Sequence, residues 1–336
     1  MIKEKSLIIA EVGVNHNGSF KYAKKLIDIA KNSGADIVKF QTFDPDSLVT
    51  KFAKKAKYQL RNTKHKGTQH HMLKKLVLKK DILKKLVKYS KKKKIEFLSS
   101  AFDIENLKLL IKLGIKRIKV PSGEITNKKF LEFVGKQKLP VILSTGMSYL
   151  KEVGAAIKII TNSGTPKSKI TVLHCTSEYP APINEVNLLA MKSIEKKFKI
   201  SVGYSDHTLG REVSIAAVAL GAKIIEKHVT ISRKFDGPDH KSSLEPNELK
   251  LLVNSIRKTE VALGSMQKIP TKSEIKNSFI VRRSLVAIRS IDKGEIFTKQ
   301  NIGAKRPGYG ISPMQIDKIL GKKAKRSFAL DELIDK

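Results

Sequence analysis

One cysteine, Cys175, and no tryptophan occur in 336 residues. A single cysteine excludes an internal disulfide and fits a reducing compartment, so a cytoplasmic protein is expected. No stretch reaches the ~18 consecutive apolar residues that a membrane helix needs, and no membrane association is expected. The opening MIKEKSLIIAEVG is basic, but Glu11 interrupts its short apolar run. No small-residue cleavage site follows, so no signal peptide is expected. Acidic residues are scarce, 31 against 67 Lys and Arg, for a formal charge of +36. Arginine is scarce too: only 10 of those 67 basic residues. Recognition of bases and phosphates favours Arg, and the lysines are spread over nearly every helical pattern, as in KYAKKLIDIAKNSG. A lysine-decorated solvated surface therefore explains the charge better than a nucleic-acid partner does. The remaining consequence is a positive field that draws in small anions.

Short β-branched runs alternate with longer helical patterns. Candidate strands are LIIAEVG (7–13), DIVKFQ (36–41), IEFLSS (95–100), IKRIKV (115–120), PVILST (140–145), KITVLHC (169–175), ISVGYS (200–205) and AKIIEKHV (222–229). Between them, segments such as NLKLLIKLG and REVSIAAVALG place apolar residues at i, i+3 and i+4 and end in glycine, a helix C-terminal signal. Strand–helix alternation implies parallel strands with crossover helices, and eight units predict a (β/α)8 barrel. An open doubly wound sheet is the alternative, but no glycine-rich phosphate loop follows the first strand. Residues 1–265 read as the barrel and 266–278 as a linker. Residues 279–336, with a DKG turn and short strands, read as a small, mostly β domain.

In such a barrel the active site lies at the C-terminal ends of the strands. There the sequence delivers Glu11; Lys39 and Gln41; Ser99 and Ser100; Lys119, Ser122 and Glu124; Ser144; His174, Ser177 and Tyr179; Ser205, Asp206 and His207; Glu226 and His228. A single Ser at a strand end is ordinarily a turn or cap residue, and a lone His a satisfied structural one. Their convergence on one rim instead describes an anion site, with ammonium groups and hydroxyls as donors and carboxylates for proton transfer. Neighbouring parallel strands lie ~4.8 Å apart, so His207 and His228 can reach one ion. Two imidazoles suit Mn²⁺, Zn²⁺, Co²⁺ or Fe²⁺ better than Mg²⁺. His207 as a general base beside Asp206 is the competing use, although adjacent strand residues point apart.

AEVGVNHNG, KFQT, KVPSGEITN, ILSTGMS, LHCTSEYPAP, GYSDHT, IEKHVT, DGPDHKSSL and KRPGYGISP occur in this order over almost the whole chain. Together they resemble the N-acetylneuraminate (sialic acid) synthases, including their legionaminate and pseudaminate relatives. The resemblance implies a (β/α)8 barrel followed by an antifreeze-like (SAF) domain. It also implies condensation of phosphoenolpyruvate with an open-chain N-acetylhexosamine, releasing phosphate by C–O cleavage. On this pattern Glu11, Glu124 and Glu226 are the proton-transfer candidates. Lys39, Ser100, Lys119, Ser122, Ser144, Ser177 and Ser205 match the phosphoenolpyruvate-binding positions. Some members carry Thr at position 100 and Asn at position 177, and the shorter Ser177 reaches less far. Gln41, Tyr179, Asp239 and Arg306 match acceptor-sugar positions, and His207 and His228 the ligands of a divalent metal, Mn²⁺ first, with Co²⁺ or Mg²⁺ as substitutes. Arg306 lies in the small domain, and the resemblance implies a domain-swapped homodimer in which that domain caps the partner's barrel. N-acetylmannosamine, the namesake substrate, is the expected acceptor; the alternative is a diacetamido-trideoxyhexose, discriminated in part by residues 57–75. A non-catalytic sugar- or nucleic-acid-binding protein would need no such joint set of carboxylates, histidines and phosphate ligands.

Overall fold

Each predicted strand forms, within three residues of its expected ends, in the computed structural model, which describes residues 5–63 and 67–335. The strands are β1 (Leu7–Gly13), β2 (Ile37–Thr42), β3 (Glu96–Ala101), β4 (Ile118–Val120), β5 (Val141–Ser144), β6 (Ile170–Cys175), β7 (Ser201–Asp206) and β8 (Ile224–His228). All pair in parallel in chain order, and β8 closes on β1 from Leu7–Ile224 to Glu11–His228. Parallel neighbours require crossovers, and the intervening amphipathic helices supply them. Phe20–Asn32 is representative: Ser19 caps its start by accepting from Tyr22 N–H, and Ala23, Leu26, Ile27 and Ala30 form the buried stripe. Each fully buried Leu or Ile there contributes about 1.5–3 kcal/mol.

Side chains alternate across each strand, so the barrel has two separate cores. Outward residues such as Ile8, Ala10, Val38, Phe40, Val202, Tyr204 and Ile225 pack with the helices. Inward residues Ile9, Ile37, Leu98, Ile142, Leu173 and Ile224 form a closed apolar layer in the lumen. That layer is the floor of the site, because the next inward residue on each strand is polar.

Between β2 and β3 lies an insertion with three short helices, Pro45–Leu48, Lys57–Asn62 and Gln69–Lys74, ahead of the crossover helix Lys80–Lys92. Its apolar side chains join the strand-end loops in a separate cluster of Val14, Phe43, Met72 and Leu76, flanked by Leu48, Leu73, Val77 and Phe102. The 57–75 segment singled out in the sequence belongs here; its residues 64–66 lie outside the described ones.

The chain divides into two units, Met1–Gly264 and Ser265–Lys336. The second opens with a helix, Lys272–Val281, in which Thr271 and Glu274 form a capping box. Part of the segment read as linker is therefore helical. Beyond it, β9 (Ser284–Ala287) pairs antiparallel with β10 (Ile302–Lys305). A core of Leu285, Ala287, Ile291, Phe297, Ile302, Ile319, Ala324, Phe328 and Ile334 holds this unit together.

Candidate active site

One step above the apolar floor, the same parity delivers Glu11, Lys39, Ser100, Lys119, Ser144, Cys175, Ser205 and Glu226 into a cavity of about 580 Å³. A further step up stand Gln41, His207 and His228. Ser122, Glu124, Ser177, Tyr179 and Asp239 complete the set from the loops. Of the residues assigned to catalysis, phosphoenolpyruvate, acceptor or metal from the sequence, all line this cavity except Arg306, which is exposed in the second unit. Three further rim residues, Ser99, His174 and Asp206, fall on the other face by parity, and Asp206 pairs there with Lys227 at 2.9 Å. His174 turns outward to Val186 O at 2.8 Å, and Ser99 pairs with Thr42 at 2.8 Å.

The floor of the cavity is a buried charge cluster. Lys39 Nζ lies 2.8 Å from Glu11 Oε2 and 3.5 Å from Glu226 Oε2, and Lys119 Nζ lies 3.7 Å from Glu226 Oε1. Both Oε2 atoms make charge contacts rather than aligned hydrogen bonds. Lys39 also donates to Ser100 Oγ (3.3 Å) and Lys119 to Ser144 Oγ (2.6 Å). Gln41 Nε2 donates to Glu11 Oε1 at 3.2 Å, and Ser205 Oγ to Glu226 Oε1 at 3.1 Å.

Burial sets the protonation states. Loss of water raises Glu11 to about 7 against the opposing pull of Lys39, with the Glu226 charge adding to the rise. Burial also works against the charge of Glu226, but Lys119 and Lys39 outweigh it and hold Glu226 below the ordinary carboxylate range. For Lys39 burial is outweighed by Glu11 and Glu226, which raise its pKa; Lys119, with less compensation, is lowered. The raised pKa of Glu11 weakens its charge near neutral pH, so the two lysines are under-compensated. The cluster thus carries excess positive charge for an anion to neutralise.

Ser122 Oγ accepts from Gly146 N–H at 2.9 Å and sits 3.3 Å from Cys175 Sγ. Gly146 is glycine for lack of room: a Cβ there would lie 2.1 Å from Ser177 Oγ and 3.0 Å from Ser122 Oγ. Across the cavity, Gly13 has φ +54° beside a register shift in the β1–β2 ladder. A Cβ at Gly13 would come within 3.3 Å of Glu11, Gln41 and His228. Glu124 lines the cavity, but its carboxylate is engaged by Asn127 Nδ2 at 2.7 Å; burial raises its pKa.

The histidine rings are tilted to each other with centroids 5.5 Å apart, and the Tyr179 ring lies tilted 4.1 Å from His207. Burial lowers His207 to about 4 and His228 well below its ordinary value, so both are neutral, the form that binds metals. His207 Nδ1 donates to Thr176 O at 2.6 Å, which fixes the tautomer and leaves Nε2 with a lone pair. His228 Nδ1 is buried without a hydrogen-bond partner, 3.9 Å from Asp239 Oδ2, and burial raises Asp239 to about 7. Among the described residues no group of three or more His, Cys, Asp or Glu forms a closed metal cage. His207 Nε2 and the unpartnered His228 Nδ1 are two neutral imidazole donors of the kind that would hold a divalent ion.

Several lining residues were not singled out in the sequence. Cys175 was findable by parity, two residues beyond Leu173 of the floor. Tyr58 lines the cavity with its ring tilted against Tyr179, centroids 4.8 Å apart, and behind it Asn62 Nδ2 donates to Tyr179 O (3.2 Å) and Pro238 O (2.8 Å). Their segment has no hydrophobic period, so nothing local marked them.

A closed parallel barrel with a buried anion cluster at the C-terminal rim and a small C-terminal domain defines the class, and the comparisons agree. Residues 26–268 match the NeuB family profile and 282–336 the SAF domain profile. The chain belongs to the NeuB family and carries a SAF domain. It is 52% identical to the N,N'-diacetyllegionaminic acid synthase of Campylobacter jejuni over 98% of this chain and 99% of that protein. It is 46% identical to the enzyme of that name from Legionella pneumophila, covering 94% of this chain and 89% of the relative. Among solved structures, the N-acetylneuraminic acid (sialic acid) synthetase of Leptospira borgpetersenii, in complex with citrate, superposes with a TM-score of 0.72 at 32% identity. That match covers 82% of this chain and 90% of the other. Its relatives are thus enzymes that make sugar acids. Among the described residues no helix is long and apolar enough to cross a membrane.

Proposed function

We propose that this protein is a legionaminate-type synthase, a cytoplasmic transferase that condenses phosphoenolpyruvate with an open-chain diacetamido-trideoxyhexose. The products are a nine-carbon 2-keto sugar acid and phosphate. The observation that carries the acceptor is the 52% identity, over nearly the full length of both chains, to a diacetyllegionaminic acid synthase. N-acetylmannosamine, expected from the sequence as the namesake substrate, gives way to it, since the sialic acid synthetase stands at 32%. The cavity wall supports the same choice: besides the polar groups it is lined by Phe43, Leu48, Met72, Leu73, Leu76 and Phe102. Hydroxyls facing such a wall lose hydrogen bonds to water without replacement, whereas a deoxygenated methyl or an acetamido methyl gains by burial.

In the reaction the enol carbon attacks the aldehyde carbon, and the aldehyde oxygen takes a proton. Water then adds to the carbon bearing the phosphate, and phosphate leaves with its bridging oxygen. Lys39 and Lys119, with the hydroxyls of Ser100, Ser122, Ser144, Ser177 and Ser205, hold the anionic substrate. Glu11, whose burial raises its pKa toward neutrality, gives the proton to the nascent alkoxide. Glu226, kept charged by the lysines, takes one from the water. Glu124 stands at the cavity wall as a further carboxylate. Gln41, Tyr179 and Asp239 orient the acceptor. His207 and His228 hold a divalent ion, Mn²⁺ first and Co²⁺ or Mg²⁺ as substitutes; when bound, it supplies Lewis-acid polarisation of the aldehyde oxygen. Arg306 reaches the acceptor from a second copy in a domain-swapped homodimer.

The test is phosphate release from phosphoenolpyruvate and Mn²⁺ with each sugar. We expect kcat/KM for the diacetamido-trideoxyhexose to exceed that for N-acetylmannosamine by about 100-fold or more. Equal values, or the reverse order, would refute the acceptor, and no release with either would refute the synthase.

A further inference from the structure

Asp206 and Lys227 stand directly opposite each other in the β7–β8 register, on the outer face of the barrel. Both side chains are fully buried, with Lys227 Nζ 2.9 Å from Asp206 Oδ2. Asp206 Oδ1 accepts from Thr208 N–H (2.9 Å) and Thr208 Oγ1 (2.7 Å), and Oδ2 accepts from Ser214 Oγ (2.6 Å). Lys227 Nζ also donates to Thr208 O at 2.6 Å. The pair therefore grips both residues that flank His207, and its lysine directly precedes His228.

A buried ion pair is a poor source of stability, since apolar replacements of similar shape often do as well. Its position accounts for it better. The β7–β8 ladder ends at Asp206–Lys227, so His207 projects beyond the last paired residue. At that point the strand no longer fixes the backbone. His207 O accepts from Ala181 N–H at 2.9 Å, its ring is tied to Thr176 O, and the ion pair holds the chain on either side.

We propose that Asp206 and Lys227 form a positioning pair: a clamp behind the barrel wall that fixes the His207 and His228 imidazoles relative to each other for one divalent ion. This rests on the reading of those histidines as metal ligands. Partners behind a metal ligand typically set affinity by 10–100-fold.

The double variant Asp206→Asn/Lys227→Met removes both charges while keeping shape, so no unpaired charge is left buried. Mn²⁺ binding to chelator-stripped protein is read from the loss of the free-ion electron paramagnetic resonance signal, with circular dichroism as the check on folding. We expect the dissociation constant for Mn²⁺ to rise about 10–100-fold, with KM for phosphoenolpyruvate unchanged at saturating Mn²⁺. Should the double variant fail to fold, Thr208→Val deletes one bond of the clamp in place and is expected to weaken Mn²⁺ binding about threefold. A folded variant that binds Mn²⁺ as tightly as the wild type would overturn the clamp alone. Wild-type protein that binds no Mn²⁺ yet turns over phosphoenolpyruvate would overturn the metal reading, and the clamp with it.

Discussion

Strands β7 and β8 carry buried charge on both faces, and the two faces handle it in opposite ways. On the outer face, Asp206 meets Lys227 one to one, and every bond of the pair is short and directed. On the inner face, Glu226 meets both lysines but shares Lys39 with Glu11, its Oε2 lacks an aligned partner, and Glu11 is pushed up to about 7. Neutralised and fully bonded charge has no capacity left for a ligand, whereas under-compensated charge does. The outer pair holds geometry, and the inner cluster waits for an anion and protons. The same two strands serve both purposes because residue parity sends alternate side chains to different environments.

The largest effect expected from breaking this contrast comes from Glu11→Gln. Loss of a proton donor should lower kcat by about 10³-fold, within the usual range for such groups. Stability should move the other way. The folded protein binds the Glu11 proton more tightly than the unfolded chain, about 7 against 4.5. Stability therefore falls as pH rises from 4.5 through 7, by on the order of 3 kcal/mol at neutral pH. Gln abolishes this penalty, so chelator-treated Glu11→Gln should melt higher than wild type at neutral pH, with a flatter pH profile. A lower melting temperature would show that the inner cluster is a structural pair like the outer one.

A smaller, paired effect sharpens the comparison. Ser205 donates to Glu226 on the inner face and Ser214 to Asp206 on the outer. Ser205→Ala should lower kcat/KM for phosphoenolpyruvate about tenfold with little change in melting temperature. Ser214→Ala should cost about 2 kcal/mol in denaturant unfolding and leave KM for phosphoenolpyruvate unchanged. The same response from both would erase the distinction.

Legibility in the sequence followed the same physics. The eight strands and their inward polar residues were readable because period-two patterns and β-branched runs are local. Lys39–Gln41 and Glu226–His228 announced their shared face by spacing alone. The pairing of Asp206 with Lys227 was not readable, because it depends on the β7–β8 register across an intervening helix. Tyr58 and Asn62 were invisible for a related reason: the insertion that carries them has no period, and their partners, Tyr179 and Pro238, are more than a hundred residues away. Ser99, His174 and Asp206 were misplaced onto the rim for want of applying parity strictly. The acceptor sugar lay beyond the motifs altogether, since they report the shared phosphoenolpyruvate chemistry rather than the apolar wall.

In the proposed reaction the inner cluster grips phosphate intact while water is delivered to carbon. This course is tested most directly with phosphoenolpyruvate labelled with ¹⁸O at the bridging oxygen, turned over with the diacetamido-trideoxyhexose and analysed by mass spectrometry. The account predicts that the label leaves entirely in the phosphate. Unlabelled phosphate, with ¹⁸O retained in the keto acid, would contradict it.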